Sequence, residues 1–172
     1  MSFEFRKTVA FEYQRTVRLA DTDAAGVTYF ANVLTFCHEA YEASLEAIGI
    51  DVRSFFAQSS VSVPIVHAEI DFRRPLYSGD VVVIQLSPQA LDSHSFETTY
   101  RLSTQDGRLV ATALTRHVCL ELATRQRCAL LPELTHWLQQ FSEVTHAIIS
   151  QSPDDVVYPE QNGHRLPAQS HA

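Results

Sequence analysis

Two carboxylates lie directly before a predicted helix, in the run Asp21–Asn32 (DTDAAGVTYFAN). An aspartate in a loop readily forms an Asx turn, so turn formation alone can account for either Asp21 or Asp23. The start of a buried helix, however, presents free N–H groups that can hold a developing oxyanion. A nearby carboxylate can act as a nucleophile or as a general base toward water. The pattern therefore favours acyl-transfer chemistry, with Gly26 letting a ligand approach the backbone closely.

Other catalytic and ligand-binding signatures are missing from the sequence. The five glycines are too widely spaced for a phosphate-binding loop or a dinucleotide fingerprint, and there is no G-x-S-x-G motif. Cys37 is predicted to be a small core residue, because it and its neighbours His38 and Glu39 point about 100° apart on a helix and cannot form a triad. His117 and Cys119 share a strand face, but nothing in the sequence suggests further zinc ligands. We therefore expect no metal and no cofactor.

Composition and charge narrow the class of protein. The chain of 172 residues is long enough for one domain with a real core, and 13 basic against 20 acidic residues give a net charge of −7. This balance disfavours nucleic-acid binding, so an anionic ligand needs a local group of arginines. No run resembles a signal peptide or a membrane span, and three cysteines argue against a disulfide framework. We expect a cytoplasmic protein without membrane insertion.

A long helix has the clearest pattern of all the predicted elements. From about residue 29 to residue 48, apolar side chains recur at three- and four-residue steps, which indicates one wide apolar face. The positions on this predicted face are Phe30, Val33, Leu34, Cys37, Tyr41, Leu45 and Ile48. Thr28 is the expected N-cap, and Gly49 is the expected C′ residue. A C-terminal helix is predicted over 132–141, because Pro132 suits the first helical turn.

Five β-rich runs complete the predicted fold. They cover residues 11–19, 62–72, 80–86, 95–102 and 108–122. Asp106-Gly107 marks a tight hairpin, and consecutive hairpins predict an antiparallel sheet against which the long helix buries its apolar face. The predicted fold is α+β, with a curved sheet of about five strands around one central helix. Residues 1–150 are assigned to this domain, and the polar tail over 151–172 is expected to be loosely ordered.

The run DTDAAGVTYFANVLTFCHEAYEASLEAIG resembles the signature of the hotdog-fold thioesterases of the 4-hydroxybenzoyl-CoA thioesterase type. In that signature an acid-x-Asp-x-x-Gly run leads through aromatic residues and an asparagine into a long helix, and the resemblance extends over about residues 11–135. More narrowly, LADTDAAGVTYF, CHEAYEASL, VPIVHAEIDF and RHVCLEL are similar to segments of the 1,4-dihydroxy-2-naphthoyl-CoA hydrolases of cyanobacterial phylloquinone synthesis. The resemblance implies a hotdog fold and an acyl-CoA thioesterase that hydrolyses an aromatic thioester.

The resemblance also implies roles for individual residues. The catalytic carboxylate of the family falls on Asp23, and Asp21 becomes a supporting or turn residue. The backbone N–H near Phe30 takes the oxyanion role, while Tyr29, Phe30 and Gly26 contact the thioester. A related hotdog group places its catalytic acid on the central helix, so a second candidate base remains on that helix, at Glu39.

Further residues are candidates for substrate contacts. His67 is a candidate contact for an aromatic acyl group, with a structural histidine as the alternative. Arginine binds phosphate through bidentate geometry, so several arginines are candidates for the coenzyme A phosphates, although each can also be a solvated strand-end charge. The main candidates are Arg73, Arg74 and Arg116, with Arg125 and Arg127 as rivals.

Other functions and assemblies stay open. A broad-specificity short- or medium-chain acyl-CoA or acyl-carrier thioesterase would use the same site, and a noncatalytic acyl-CoA-binding regulator would bind its ligand without hydrolysis. A hotdog dehydratase is disfavoured, because no histidine stands in the loop before the helix. Open sheet edges, together with the sheet pairing typical of the family, imply a homodimer or a homotetramer.

Overall fold

The computed structural model describes residues 10–142 of the chain. Its elements are β1 Phe11–Thr16, α1 Phe30–Glu46, α2 Val52–Gln58, β2 Val61–Ser62, β3 Ile65–Phe72, β4 Val81–Ala90, β5 Ser95–Thr104, β6 Leu109–Val118, β7 Leu120–Glu121 and α3 Pro132–Phe141. A 3-10 turn over Leu19–Asp21 connects β1 to the loop before α1. The domain end at residue 150 and the tail over 151–172 lie outside the described residues.

Five strands form one antiparallel sheet in the order β1-β4-β5-β6-β3, which confirms the predicted α+β class. The strands β4, β5 and β6 follow one another as hairpins, and Gly107 takes a φ of +84° in the turn before β6. The prediction of consecutive hairpins is wrong for β3, which pairs with β6 at the far edge and places Phe72 opposite Ala111. The link over 73–80 is too long for a tight turn and carries the chain across the sheet instead.

The helix α1 packs its apolar face on the inner side of this sheet, against β1 and β4. Val82, Ile84 and Leu86 of β4 are fully buried on that side, in the alternation of a half-buried strand. The buried positions of α1 are Val33, Phe36, Cys37, Ala40, Tyr41, Ser44 and Leu45. The buried face of α1 therefore differs from the predicted face at the start of the helix. Phe30, which the pattern places on that face, is 61% exposed, whereas Phe36 is fully buried.

The ends of α1 differ in detail from the prediction. The N-cap is Tyr29 and makes no side-chain cap hydrogen bond, so the prediction of Thr28 as the N-cap is wrong. Thr28 instead forms an isolated bridge with Thr22, which keeps its backbone extended, and its hydroxyl donates to the Leu76 carbonyl at 3.2 Å. At the other end, Gly49 adopts a φ of +87°, two residues beyond the C-cap rather than directly after it.

The structure also adds one short helix to the predicted elements and divides two of the predicted strands. The helix α2 lies in a segment for which no element is predicted, and its N-cap Asp51 accepts hydrogen bonds from the N–H groups of Arg53 and Ser54. The predicted strand over 62–72 is interrupted at Pro64, which has no N–H to donate. The predicted strand over 108–122 divides into β6 and β7, and β7 pairs with β2 in a separate two-stranded sheet. Within residues 10–142, no helix has both the length and the apolar character needed to cross a membrane.

A buried histidine lies between α1 and the sheet. His117 of β6 is 1% exposed and stacks on Phe96, with ring centroids 4.6 Å apart and an interplanar angle of 8°. Its Nε2 lies 3.0 Å from the Thr115 hydroxyl, and Tyr41 packs on it from α1 at 5.1 Å. Burial lowers the pKa of His117 to about 4, because the charged imidazolium is poorly solvated there. The folded core therefore contains a neutral imidazole at neutral pH.

This histidine predicts a loss of stability in mild acid. The unfolded chain takes up the His117 proton near pH 6.5, whereas the folded chain resists protonation until about pH 4. The unfolded state therefore binds more protons between these two values, and the free energy of unfolding falls by as much as about 3 kcal/mol as the pH decreases through this window. Urea unfolding between pH 7.5 and 4.5 measures the effect.

The variant His117→Gln removes the titrating group, so its unfolding free energy is expected to depend less steeply on pH than that of the wild type. His136→Gln is the matched control, because His136 is an exposed histidine on α3. Parallel pH profiles for the wild type and His117→Gln would contradict the assignment.

Candidate active site

The loop before α1 folds into a small hairpin. Thr22 and Thr28 form an antiparallel bridge, and the N–H of Asp23 donates to the Val27 carbonyl at 2.9 Å. The N–H of Gly26 donates to the Asp23 carbonyl at 3.0 Å, and Gly26 takes a φ of +78°. That left-handed conformation favours glycine, so Gly26 lets the loop fold back on itself.

Asp23 lies exposed at the start of this turn. Its Oδ1 accepts a hydrogen bond from the Ala25 N–H at 2.8 Å, which is the Asx-turn contact expected of a loop aspartate. Within residues 10–142, its Oδ2 accepts no hydrogen bond from the protein. One oxygen therefore orients the carboxylate, and the other remains accessible to a substrate or to water.

The first turn of α1 presents the second chemical group of the site. The helix begins at Phe30, and no acidic side chain occupies its first turn. The first N–H groups of a helix have no intrahelical acceptor and lie at the positive end of the helix dipole. Tyr29 and Phe30 are 44% and 61% exposed, and their rings lie 4.7 Å apart. The N–H groups of Tyr29 and Asn32 already donate to the Asp21 and Tyr29 carbonyls, but those of Phe30 and Ala31 have no acceptor within residues 10–142. The helix tip thus combines these two free N–H groups with an exposed aromatic surface.

Asp21 ties the loop to the helix. Its carbonyl accepts hydrogen bonds from the Tyr29 N–H at 2.8 Å and from Asn32 Nδ2 at 2.9 Å. Its Oδ2 accepts from the Arg18 N–H at 2.7 Å and from Arg15 Nη2 at 2.8 Å. These four contacts suit the supporting role expected of Asp21 and hold the Asp23 turn close to the start of α1.

The alternative base, Glu39, is engaged in an ion pair. Its Oε1 lies 3.0 Å from Arg15 Nη1, and its side chain is 37% exposed. The same carboxylate lies beside Tyr13, where burial first and the Glu39 charge second raise the pKa of the tyrosine hydroxyl. Arg15 thus engages one Glu39 oxygen, and this ion pair disfavours Glu39 as the catalytic base.

His67 lies on the other side of the sheet from the helix. It is paired in register with Arg116, an exposed residue whose neighbour His117 points into the core. His67 Nε2 lies 3.2 Å from Glu69 Oε2, and both side chains are largely solvated. Within one chain, therefore, the His67 side chain lies on the face of the sheet opposite the one that α1 covers.

The candidate phosphate-binding arginines differ in their partners. Arg74 Nη1 donates to the Leu109 carbonyl at 2.8 Å, and Arg116 Nη2 lies 3.0 Å from Glu97 Oε2. Arg73, which follows directly after β3, has no ion pair within residues 10–142. Of the two rivals, Arg125 takes a φ of +59° in the turn after β7. Among the three main candidates, Arg73 is therefore the one whose guanidinium is free for a phosphate.

The remaining reactive side chains belong to the core. Cys37 is fully buried, and burial raises the pKa of its thiol to about 12, which agrees with the predicted role as a small core residue. Cys119, which follows β6, is also fully buried. No group of three or more histidine, cysteine or carboxylate side chains suited to a metal ion occurs within residues 10–142.

Arg15 and Asn32 contact the loop, and sequence reasoning assigned neither of them a role. Asn32 belongs to the DTDAAGVTYFAN run, so the sequence predicts that it lies close to the loop. The role of Arg15 is harder to predict from the sequence. A charged residue on a half-buried strand needs an oppositely charged partner, but the sequence pattern does not identify which residue that is. Its partners Asp21 and Glu39 lie 6 and 24 residues further along the chain.

Comparisons with known proteins agree with this architecture. A family model described as the thioesterase-like superfamily matches residues 17–138. The 1,4-dihydroxy-2-naphthoyl-CoA hydrolase of Rippkaea orientalis is 57% identical over 130 residues, covering 74% of this chain and 94% of that protein. The hydrolase of the same name from Thermosynechococcus vestitus is 51% identical over 132 residues, covering 77% and 90%.

Solved structures give the same result for the fold. The structure of a 1,4-dihydroxy-2-naphthoyl-CoA thioesterase from Synechocystis matches with a TM-score of 0.73 at 36% identity, covering 76% of this chain and 96% of that one. The five-stranded antiparallel sheet around α1 is thus the hotdog fold that the sequence predicted. On the family match over residues 17–138 and these relatives, the chain belongs to the thioesterase-like superfamily.

Proposed function

We propose that this protein is a cytoplasmic acyl-CoA thioesterase that hydrolyses 1,4-dihydroxy-2-naphthoyl-CoA to 1,4-dihydroxy-2-naphthoate and coenzyme A in phylloquinone synthesis. One observation carries the proposal: relatives of that name share 57% and 51% of aligned residues with the chain over 94% and 90% of their own lengths. The local geometry supports it, because a carboxylate and free helix N–H groups stand at the same end of α1.

The proposed chemistry uses Asp23 and the helix tip. The Phe30 N–H polarises the thioester carbonyl and stabilises the oxyanion that forms when the carbonyl carbon is attacked. Asp23 either attacks that carbon itself or removes a proton from an attacking water, since the Ala25 N–H orients its Oδ1 and leaves Oδ2 accessible. The bond from carbon to sulfur then breaks, and coenzyme A leaves as a thiol after taking up a proton. If water is the attacking group, this step releases the acid directly; if Asp23 attacks, it forms an acyl-Asp23 anhydride, which a water molecule then hydrolyses to release the acid and restore the carboxylate.

The proposed substrate contacts surround these two groups. The exposed rings of Tyr29 and Phe30 provide an apolar surface for an aromatic acyl group, and the lack of a side chain at Gly26 lets the thioester approach the loop. Arg73 is the proposed contact for a coenzyme A phosphate, because its guanidinium has neither an ion pair nor a hydrogen bond in the described chain. It ranks ahead of Arg74, which donates to the Leu109 carbonyl, and of Arg116, which pairs with Glu97.

We infer that the enzyme is a homodimer joined through the edge strand β3, with a homotetramer as the larger alternative. Within the described sheet, β3 pairs with β6 alone, and it exposes Ile65, Val66 and Phe72 by 45%, 56% and 44%. The other edge strand, β1, exposes no comparable apolar side chain. Pairing β3 with a second copy would cover this apolar edge and bring His67 of one chain toward the open site of the other.

A panel of coenzyme A esters tests the substrate assignment. Thiol release is followed with a thiol-trapping reagent for naphthoyl, hydroxybenzoyl, and short- and medium-chain esters. The naphthoyl ester is expected to give the highest kcat/KM, because the exposed aromatic pair favours a flat aromatic group. Equal rates across the panel would support the broad-specificity thioesterase. Saturable binding without thiol release would support the noncatalytic regulator.

Replacing the proposed catalytic carboxylate tests the mechanism. Asp23→Asn is expected to retain the fold and to lower kcat by at least about 100-fold, because an amide cannot act as nucleophile or base. Asp92→Asn is a matched control, since Asp92 is also exposed and its Oδ1 accepts a local backbone hydrogen bond from the His94 N–H at 2.7 Å. Near wild-type kcat in Asp23→Asn would show that the mechanism is wrong.

A charge on the edge strand tests the assembly. Val66→Lys is expected to convert the oligomer to a monomer, as measured by light scattering during size-exclusion chromatography, because a buried unpaired ammonium opposes pairing. Leu91→Lys is the control, since Leu91 is an exposed apolar residue, 44% exposed, in the β4–β5 connection. An unchanged molar mass for Val66→Lys would exclude β3 as the dimer edge.

A further inference from the structure

We propose that Arg15 is a positioning residue of the active site, which holds the Asp23 loop at a set place relative to the first turn of α1. The inference rests on the proposed function, because it gives Arg15 a role in the reaction of Asp23. Arg15 itself does not contact the reacting groups; it acts through Asp21, through Glu39 and through the buried ring of Phe36.

The contacts of Arg15 join three elements. Its Nη2 lies 2.8 Å from Asp21 Oδ2 in the 3-10 turn, and its Nη1 lies 3.0 Å from Glu39 Oε1 on α1. The guanidinium carbon lies 3.9 Å from the centroid of the Phe36 ring, which is fully buried. One planar side chain on β1 therefore contacts both the turn that leads to the loop and two successive turns of the helix.

The effect on the loop passes through Asp21. The carboxylate of Asp21 binds Arg15, while its carbonyl accepts hydrogen bonds from the Tyr29 N–H and from Asn32 Nδ2. Asp23 follows two residues later, and Phe30 follows directly after Tyr29. A shift of Asp21 would therefore move the Asp23 carboxylate and the helix tip relative to each other.

The geometry also requires arginine in particular. A guanidinium has two donor edges in one plane and can bind two carboxylates while it stacks on an aromatic ring, whereas a lysine ammonium is a point charge. The side chains of Arg15 and Asp21 are 14% and 16% exposed, so solvent screens this pair less than a surface pair. Misplacing catalytic groups by about 1 Å can reduce the rate by about 100-fold.

Two variants of Arg15 test the proposal. Arg15→Met keeps an unbranched side chain over Phe36 but removes both ion pairs. Arg15→Lys keeps the positive charge but lacks the two donor edges of the planar guanidinium. We expect kcat for the naphthoyl ester to fall by about 10- to 100-fold in Arg15→Met with KM within about twofold, and by a smaller factor in Arg15→Lys.

Arg108→Met is the matched control, because Arg108 pairs with Asp106 at 2.8 Å on an exposed hairpin. Its kinetics are expected to equal those of the wild type.

A second measurement reports the position of the loop without using activity. Amide hydrogen exchange at Ala25 and Tyr29 is expected to be faster in Arg15→Met and unchanged in Arg108→Met, since the hydrogen bonds of these amides depend on the loop being held.

The variant Asp21→Asn is expected to lower kcat in the same way as Arg15→Met. In the double variant of Arg15→Met with Asp21→Asn, the factor by which kcat falls is expected to be smaller than the product of the factors of the two single variants.

The possible outcomes separate this inference from the proposed function. Activity of Arg15→Met that falls only in proportion to the folded fraction, as measured by thermal unfolding, would overturn the positioning role and leave the thioesterase assignment intact. Unchanged kcat with unchanged exchange would overturn it as well. If the wild type hydrolyses no coenzyme A ester, the proposed function fails, and the exchange measurement alone decides whether Arg15 holds the loop.

Discussion

The burial of one face of α1 against the sheet is the constraint on which the rest of the structure depends. Phe36, Cys37, Ala40 and Leu45 are all fully buried, and complete burial of a large apolar side chain stabilises the fold by about 1.5–3 kcal/mol. This buried face starts only at Val33, one turn into the helix. The first turn therefore remains at the surface, and the Phe30 N–H has no acceptor within residues 10–142. The packing that stabilises the domain thus also leaves the helix tip accessible to a ligand.

Polar contacts then place the carboxylate beside that tip. The Asp21 carbonyl binds the start of α1, and its carboxylate binds Arg15 in a pair that is about 15% exposed. The surface pair of Arg108 with Asp106 is 65% and 59% exposed, and pairs of that kind contribute little to stability. The arginine at the site is therefore held more firmly than its surface counterpart. Such rigidity suits the proposed reaction, in which the relative position of Asp23 and a backbone N–H sets the rate.

The order of the strands determines what one chain leaves uncovered. Because β3 lies at the edge of the sheet beside β6, its second edge pairs with no strand of residues 10–142, and the side chains of Ile65, Val66 and Phe72 are exposed there. Asp23, Tyr29 and the other residues of the helix tip are also open to solvent in the single chain. An apolar edge and an open site in the same chain both favour assembly with a second copy.

The sequence alone determined the features that depend on neighbours along the chain. The long helix, the five strands, the hairpin at Gly107 and the closeness of Asp23 to the start of α1 were all predictable, because periodicity, turns and short loops are local. Tertiary structure alone decided the place of β3 at the sheet edge and the burial of Phe36 in place of Phe30. It also decided the contacts of Arg15, because strand pairing and ion pairs across 24 residues depend on how distant segments pack, which no local pattern encodes.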